Sequence, residues 1–512
     1  MQGGQEEGRA RGPVSLRCET HSVDLASVAT RATGRGRPRA RTTELIRANA
    51  LFAALFAVGG LLRGIVFFAY QPALILQVDA LAYLSQARGG SPSGFRPFLY
   101  PAVIEPALAL NNLSLIPFIQ HALGLGIGLL LYALLRRLGA GPNPAALGAA
   151  PILLDGYQLI IEQYVLTEAL FDTLVVASIA VVLWRARPSP AALAGAGALV
   201  ALSGLTRFVG LALIAPFLLY VLIRRLGLLR LCCLVLGFIL PLVVYGAWFR
   251  AAEGNAGVTN RNGFFLYGRV ASFASCEGVH VPPSQTALCI EEPPQQGFVP
   301  TGFWSLDLPA EITSSPRANQ ILLNFSRRMI LAKPLEYAGA VGYDFLRFFS
   351  PRSPPSQEPN VARWRFPRTL EDADPHPNVK RLGGSAPPEL EVADFRIAAG
   401  PAVALRVYQG VVYTYGPLLG ALLVAGLAGS WASRRRWRDQ QGSACLLLSL
   451  LGVVVLLAPV AATVYHFRYV LPALPLLGPA GALGATQLSG LWGGHSMSRR
   501  AATFTTRRTP AR

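Results

Sequence analysis

Two kinds of side chain in this 512-residue chain could do chemistry. The first is a set of carboxylates: Asp79 and Glu105 in one hydrophilic stretch, and Asp155, Glu162, Glu168 and Asp172 around a short turn between apolar runs. The second is a set of arginines beside apolar runs, Arg63, Arg96, Arg207 and Arg468. A carboxylate near water can take a proton from a hydroxyl as general base. A guanidinium can hold a phosphate by paired hydrogen bonds and stabilise charge that grows on it. Ionisable groups at membrane depth are costly, so they stand as functional candidates by default. Solvation at a turn explains Asp155 and Glu162 equally well, and it explains Asp172, one turn deeper than Glu168, less well. Snorkelling to ordinary headgroups is the competing account of each arginine taken alone. The sequence offers no other reaction centre. It has no Gly-rich loop ending in Lys-Ser/Thr, no His-Glu-x-x-His and no Gly-x-Ser-x-Gly, and its six histidines are scattered.

The elements that must position these groups are membrane helices. Hydrophobic residues make up 52% of the chain and charged residues only 14%, against about 25% in soluble domains. Mean hydropathy is +0.41. Several apolar runs approach the roughly 20 residues that cross a bilayer as a helix. Their Leu, Ala, Val and Gly content suits helices rather than alternating barrel strands. The expected fold is an all-α polytopic membrane protein with about ten helices, near residues 47–70, 113–135, 144–161, 164–184, 190–206, 208–223, 229–249, 402–431, 443–465 and 469–490.

The net charge of +19 does not indicate nucleic acid, because its distribution follows loops. Arginines gather in the N-terminal tail (Arg31, Arg35, Arg37, Arg39, Arg41, Arg47) and in short gaps (Arg136, Arg137, Arg185, Arg187, Arg224, Arg225, Arg230, Arg434, Arg435, Arg436, Arg438). The C-terminal tail adds Arg499, Arg500, Arg507 and Arg508. Cytoplasmic loops carry this excess in membrane proteins. Both termini are therefore expected inside, with residues 71–112 and 250–401 outside. Arg63, Arg96, Arg207 and Arg468 then map near the outer interface, against the charge bias.

The expected organisation is a disordered Arg-rich cytoplasmic tail (1–43), an N-terminal transmembrane catalytic module (44–250), an extracytoplasmic loop region (251–401), C-terminal helices (402–490) and a basic cytoplasmic tail (491–512). Residues 1–43 lack the apolar core of a signal peptide, and an extension upstream of the true start stays open. The long loop reads as a Pro- and Gly-rich insertion with an amphipathic helix near Ala318–Met329 and flexible chain over 351–390. Cys276 and Cys289 share that oxidising side and suggest a disulfide; Cys18, Cys232, Cys233 and Cys445 map to the tail or to helices near the cytoplasmic face. A zinc site is not expected, since only His280 lies between the pair. Heavy Arg, Ala, Gly and Pro usage suggests a GC-rich bacterial genome.

Four places resemble the polytopic C-type-fold glycosyltransferases that use polyprenyl-phosphate sugars, the relatives of protein O-mannosyltransferases and aminoarabinose transferases. Asp79-Ala80-Leu81-Ala82-Tyr83 resembles the family's Asp-(Glu/Asp)-x-x-Tyr in the first outside loop. Arg96-Pro97-Phe98-Leu99-Tyr100-Pro101 is similar to the Pro-rich segment before the second span. Thr167-Glu168-Ala169-Leu170-Phe171 looks like the start of the family's fourth helix, and Leu205-Thr206-Arg207 like its Leu-x-Arg turn. His466-Phe467-Arg468-Tyr469-Val470-Leu471-Pro472 resembles the Arg-Tyr-x-x-Pro before a late helix. Leu266-Tyr267-Gly268-Arg269-Val270-Ala271, with Cys276, looks like a feature of large-loop members.

The resemblance implies an envelope glycosyltransferase, mannosyltransferase-like, with Asp79 as catalytic base. It makes Arg96, Arg207, Arg269 and Arg468 candidates for the donor phosphate, with Tyr83, Glu168 and Tyr469 as further site candidates. The implied partners are a polyprenyl-phosphate sugar, an extracytoplasmic glycan, lipid or protein acceptor, and membrane lipids. Paired acids in the family imply a divalent cation, magnesium or manganese. Ala80 replaces the second acid and weakens that implication, and the family's Lys-Pro-Pro is absent, with Arg96 as the nearest substitute. A transporter or lipid flippase is the alternative. It would place acids near the bilayer midplane and break helices in repeated halves.

Overall fold

The computed structural model describes residues 48–75, 77–94, 96–255, 257–290, 308–351, 364–369, 372, 394–434 and 439–505, with side chains as far as residue 489 except those of Gln77 and Val78. The Arg-rich tail with Cys18, most of 351–390, Arg435, Arg436 and Arg438, and the side chains of the C-terminal arginines lie outside the described residues. The chain divides into residues 1–50 and 51–512, and every candidate site residue belongs to the second unit.

Apolar sequence without strand periodicity gives an almost wholly helical protein. In chain order the helices are α1 (Ala50–Ala69), α2 (Gln77–Gly89), α3 (Leu99–Ala109), α4 (Leu115–Arg137), α5 (Pro142–Leu154), α6 (Gly156–Ile161), α7 (Glu168–Leu183), α8 (Pro190–Gly204), α9 (Val209–Ala212), α10 (Ile214–Ile223) and α11 (Leu228–Glu253). Then come α12 (Asn262–Ala271), an unnumbered single turn (Ala310–Thr313), α13 (Ala318–Ala332), α14 (Pro334–Arg347), α15 (Ala399–Val411), α16 (Gly416–Ala432), α17 (Gln440–Ala462) and α18 (Leu474–Thr505). A two-residue antiparallel pairing joins β1 (Tyr70–Gln71) to β2 (Arg396–Ile397).

The chain is a multi-pass helical membrane protein. Among the described residues, α1, α4, α11, α17 and Phe467–Ser489 are each long and apolar enough to cross a bilayer, and α15 with α16 makes a sixth if this pair, bent by 51°, counts as one span. The other apolar segments are helical but short or broken, so length alone does not yield ten crossings. The run 144–161 breaks where Asp155 caps α6, accepting from the amides of Tyr157 (2.8 Å) and Gln158 (3.3 Å). Its other oxygen accepts from the Thr414 amide at 2.6 Å, at the break between α15 and α16. Asp155 is thus committed to structure. The run 208–223 breaks between α9 and α10.

The basic gaps meet at one end of the bundle. Arg137 donates to the Trp184 carbonyl, Arg224 to Ala186 (2.6 Å) and Arg230 to Pro188 (2.9 Å). Glu168, at the start of α7, marks the opposite end of that helix, about 24 Å away at 1.5 Å per residue.

Residues 257–290 and 308–351 hold more structure than an irregular insertion. Tyr267, Val270, Leu288, Leu322, Phe325 and Met329 form a separate small core, and α13 is amphipathic. Cys276 and Cys289 are joined by a disulfide with a Cα–Cα distance of 5.4 Å.

Close helix contacts depend on glycine. A methyl group on Gly237 of α11 would lie 2.0 Å from the Ala194 carbonyl oxygen of α8, whereas one on Gly60 of α1 would meet nothing within 4 Å. Gly237→Ala is expected to cost about 1–3 kcal/mol through overpacking, and Gly60→Ala to be neutral or slightly stabilising. Thermal unfolding of the two variants in detergent checks this; equal midpoints would contradict the packing described.

Candidate active site

Two irregular segments place the key carboxylates. After α1 the chain runs through residues 70–75 into α2, whose first turn carries Asp79. After α6 it runs through residues 162–167 into α7, whose first residue is Glu168. The segments pair: the Leu74 amide donates to the Gln163 carbonyl (3.0 Å) and the Val165 amide to the Leu74 carbonyl (3.1 Å), forming a parallel bridge between Leu74 and Tyr164. Both acids therefore leave one shared backbone contact.

Guanidiniums join them. One oxygen of Asp79 accepts from Arg96 Nη2 at 2.6 Å and the other from Arg468 Nη2 at 2.7 Å. Arg468 Nε lies 3.8 Å from a Glu168 oxygen, and the same oxygen is ion-paired with Arg207. The result is a chain of alternating charge, Arg96–Asp79–Arg468–Glu168–Arg207. Asp79 is only 6% exposed. Burial opposes its ionisation, but Arg96 and Arg468 outweigh burial and hold the carboxyl well below the usual carboxylate range. Burial pushes the nearby Tyr83 phenol up.

The three arginines open onto one cavity of about 450 Å³, a size typical of small-ligand sites. Tyr83, Thr167 and Tyr469 contribute polar atoms to its wall; Phe208, Leu211, Phe265, Leu266 and Leu323 contribute apolar surface. Aromatic rings flank the cations, with Arg96 over Phe265 at 5.6 Å, Arg207 over Tyr469 at 5.9 Å and Arg468 over Trp364 at 5.6 Å. Such a pocket suits a ligand that is anionic at one end and apolar along its length.

Of the residues singled out in the sequence, Asp79, Tyr83, Arg96, Glu168, Arg207, Arg468 and Tyr469 come together here. Arg269 does not line this cavity. It is buried, ion-paired with Asp344, and donates to the Val460 carbonyl at 3.3 Å. Glu105 is exposed on α3.

Arg63 does not join the arginines around the cavity. It is 2% exposed and forms a two-pronged pair with Glu162, Nε and Nη2 each donating at 2.8 Å, and its Nη1 donates to the Leu153 carbonyl at 2.8 Å. An arginine inside a spanning helix is more cheaply paired within the bundle than stretched to the headgroups. Asp172 is buried, and neither of its oxygens has a hydrogen-bond partner among the described residues. Sequence reasoning missed His121, Gln163, Phe265 and Leu323. Only the amphipathic pattern of α13 pointed toward any of them.

No known family profile matches the chain, and no curated protein matches it. Among solved structures, it is similar to the oligosaccharyltransferase of Archaeoglobus fulgidus in its apo form (13% identity, 90% of this chain and 53% of that one, TM-score 0.39). It is also similar to ArnT from Cupriavidus metallidurans bound to undecaprenyl phosphate (16% identity, 90% and 81%, TM-score 0.33). The chain spans about half the length of the archaeal protein.

Removing the Asp79 charge leaves two half-buried guanidiniums short of a counter-ion, so Asp79→Asn is expected to lose about 3 kcal/mol of stability, the low end for breaking a buried pair. The folded carboxyl titrates below the unfolded value of about 3.9. Its contribution is therefore complete above about pH 5 and is lost only as pH falls through the folded value. The gap in thermal midpoint between wild type and Asp79→Asn should hold from about pH 8 to about pH 5 and persist at about pH 4. A gap that closes near pH 5 would contradict the double ion pair.

Proposed function

We propose that the protein is an inverting membrane glycosyltransferase that moves a sugar from a polyprenyl-phosphate carrier to an acceptor hydroxyl outside the membrane. The observation that carries this reading is one carboxylate held by two guanidiniums, beside a cavity that all three arginines line. The apolar wall suits a prenyl chain and the arginines suit its phosphate. The site lies at the end of α7 opposite the arginine-rich gaps, and by the positive-inside rule that end is extracytoplasmic.

In this mechanism Asp79 takes the proton of the acceptor hydroxyl. The acceptor oxygen forms a bond to the anomeric carbon from the face opposite the phosphate. The bond from that carbon to the phosphate oxygen breaks, and its electron pair leaves on the phosphate, where Arg207 and Arg468 stabilise the charge. The proton ends on Asp79. A carboxylate gripped by two guanidiniums is a weak base, so the donor itself has to free it. The incoming phosphate competes with Asp79 for Arg96 and Arg468, and each guanidinium drawn to the phosphate restores basicity to Asp79.

The side chains present do not fit a divalent cation between the two acids. Both Asp79 oxygens already accept from guanidiniums, and Arg468 occupies the space between Asp79 and Glu168. Among the described residues no three His, Cys, Asp or Glu side chains gather into a metal site. No step here runs through a metal.

Transfer of label from a radiolabelled polyprenyl-phosphate sugar in proteoliposomes tests the reading. Corrected for folded protein, Asp79→Asn should lower kcat by about 10²–10⁴-fold. Arg207→Gln should raise the donor KM by about tenfold, the loss of one charge-assisted contact. Undiminished transfer by Asp79→Asn would remove the base. Movement of the donor across the membrane without transfer would favour a flippase.

A further inference from the structure

A second polar cluster lies inside the bundle, outside the cavity. Glu162 accepts four hydrogen bonds: from Arg63 Nε and Nη2 (both 2.8 Å), from Gln158 Nε2 (3.1 Å) and from His121 Nδ1 (2.8 Å). Two carboxylate oxygens offer about four lone-pair sites, so this carboxylate is saturated and has no room for a proton of its own. The other ring nitrogen of His121, Nε2, lies 2.9 Å from Gln163 Oε1. The amide of Gln163 is fixed in that sense, because its Nε2 donates to the Tyr70 carbonyl at 2.5 Å. His121 thus faces an acceptor on each side. Glu162 and His121 are 0% and 5% exposed.

Gln163 is also the residue whose carbonyl receives the Leu74 amide (3.0 Å). It therefore holds the chain before α2 at two points, Tyr70 and Leu74, and α2 carries Asp79 in its first turn. On its C-terminal side it opens the segment that ends at Glu168. A closed mechanical loop results: Gln163 to Leu74 to Asp79, across Arg468 to Glu168, and back along residues 164–167.

We propose that His121, donating from both ring nitrogens, is a positioning residue that locks Gln163 and through it fixes the spacing between Asp79 and Glu168. The charged groups around it are Arg63 from α1 and Glu162 from the turn before α7, with Asp172 of α7 in electrostatic reach of Glu162. Without a proton on either nitrogen of His121, two lone pairs would oppose each other in a buried site, and on the Nε2 side Gln163 Oε1 would lose this hydrogen bond.

Two substitutions separate the two bonds. In His121→Gln the amide nitrogen falls near the old Nε2 and keeps the contact to Gln163. In His121→Asn it falls near the old Nδ1 and keeps the contact to Glu162. Hydrogen exchange of the full chain in nanodiscs, followed on peptides spanning residues 70–80 and 160–168, should quicken by about tenfold or more in His121→Asn. It should remain near the wild-type rate in His121→Gln. Equal change in both variants, or none in either, overturns the proposal. Imidazole ¹⁵N spectra of the wild-type protein, with His121→Asn used to assign the signal, should show both nitrogens protonated. A single neutral tautomer also overturns it.

The kinetic consequence rests on Asp79 being the base. There, kcat in His121→Asn should fall at least about tenfold further than in His121→Gln, at similar donor KM, since displacement of about 1 Å costs up to about 10² in rate. If the wild type transfers no sugar, the functional reading fails, while the exchange and ¹⁵N results still decide the positioning role.

Discussion

Everything at the site end of this bundle depends on the guanidinium of Arg468. It comes from the C-terminal part of the chain to stand between two buried carboxylates of the N-terminal part, Asp79 at 2.7 Å and Glu168 at 3.8 Å. Like charges so placed would repel strongly in a site shielded from water, and each would lose several kcal/mol of hydration. A permanently charged, planar, multi-donor group is the side chain that makes such a site tolerable. Arg96 and Arg207 extend the alternation outward, so the acids are screened while the three arginines line a cavity. The arrangement balances charge at rest and answers to an incoming anion.

Holding that array requires backbone that is not helical. The segments 70–75 and 162–167, and the turn at Leu205–Phe208, interrupt apolar runs near their ends. Irregular backbone near a bilayer survives only where its polar groups find partners. Here they do so through the Leu74–Tyr164 bridge, and Gln120 Nε2 donates to the carbonyls of Glu162 and Tyr164 at 2.8 Å each. Several helices are shorter than a bilayer for the same reason. At two of these breaks Thr167, Thr206, Arg207 and Phe208 line the cavity.

Much of this was legible in the sequence. Each of the ten apolar segments contains helix, because mean composition decides helix against barrel without reference to partners. The motif residues Asp79, Glu168, Arg207 and Arg468 converge because each sits beside a break that short apolar runs reveal. The rest was hidden. Arg63 and Glu162 are 99 residues apart, and no local period announces an ion pair between them. The motif around Arg269 suggests a phosphate ligand, and nothing local announces its ion-pair partner Asp344, 75 residues away in the sequence. Phe265 and Leu323 line the cavity through the packing of α12 and α13, and hydropathy does not encode that docking.

The most direct test of the central claim is a structure of the protein with a polyprenyl phosphate bound. The phosphate should lie among Arg96, Arg207 and Arg468, its chain along Phe208 and Leu211, with at least one guanidinium drawn away from Asp79. A phosphate bound elsewhere, with Asp79 still gripped by Arg96 and Arg468, would contradict it.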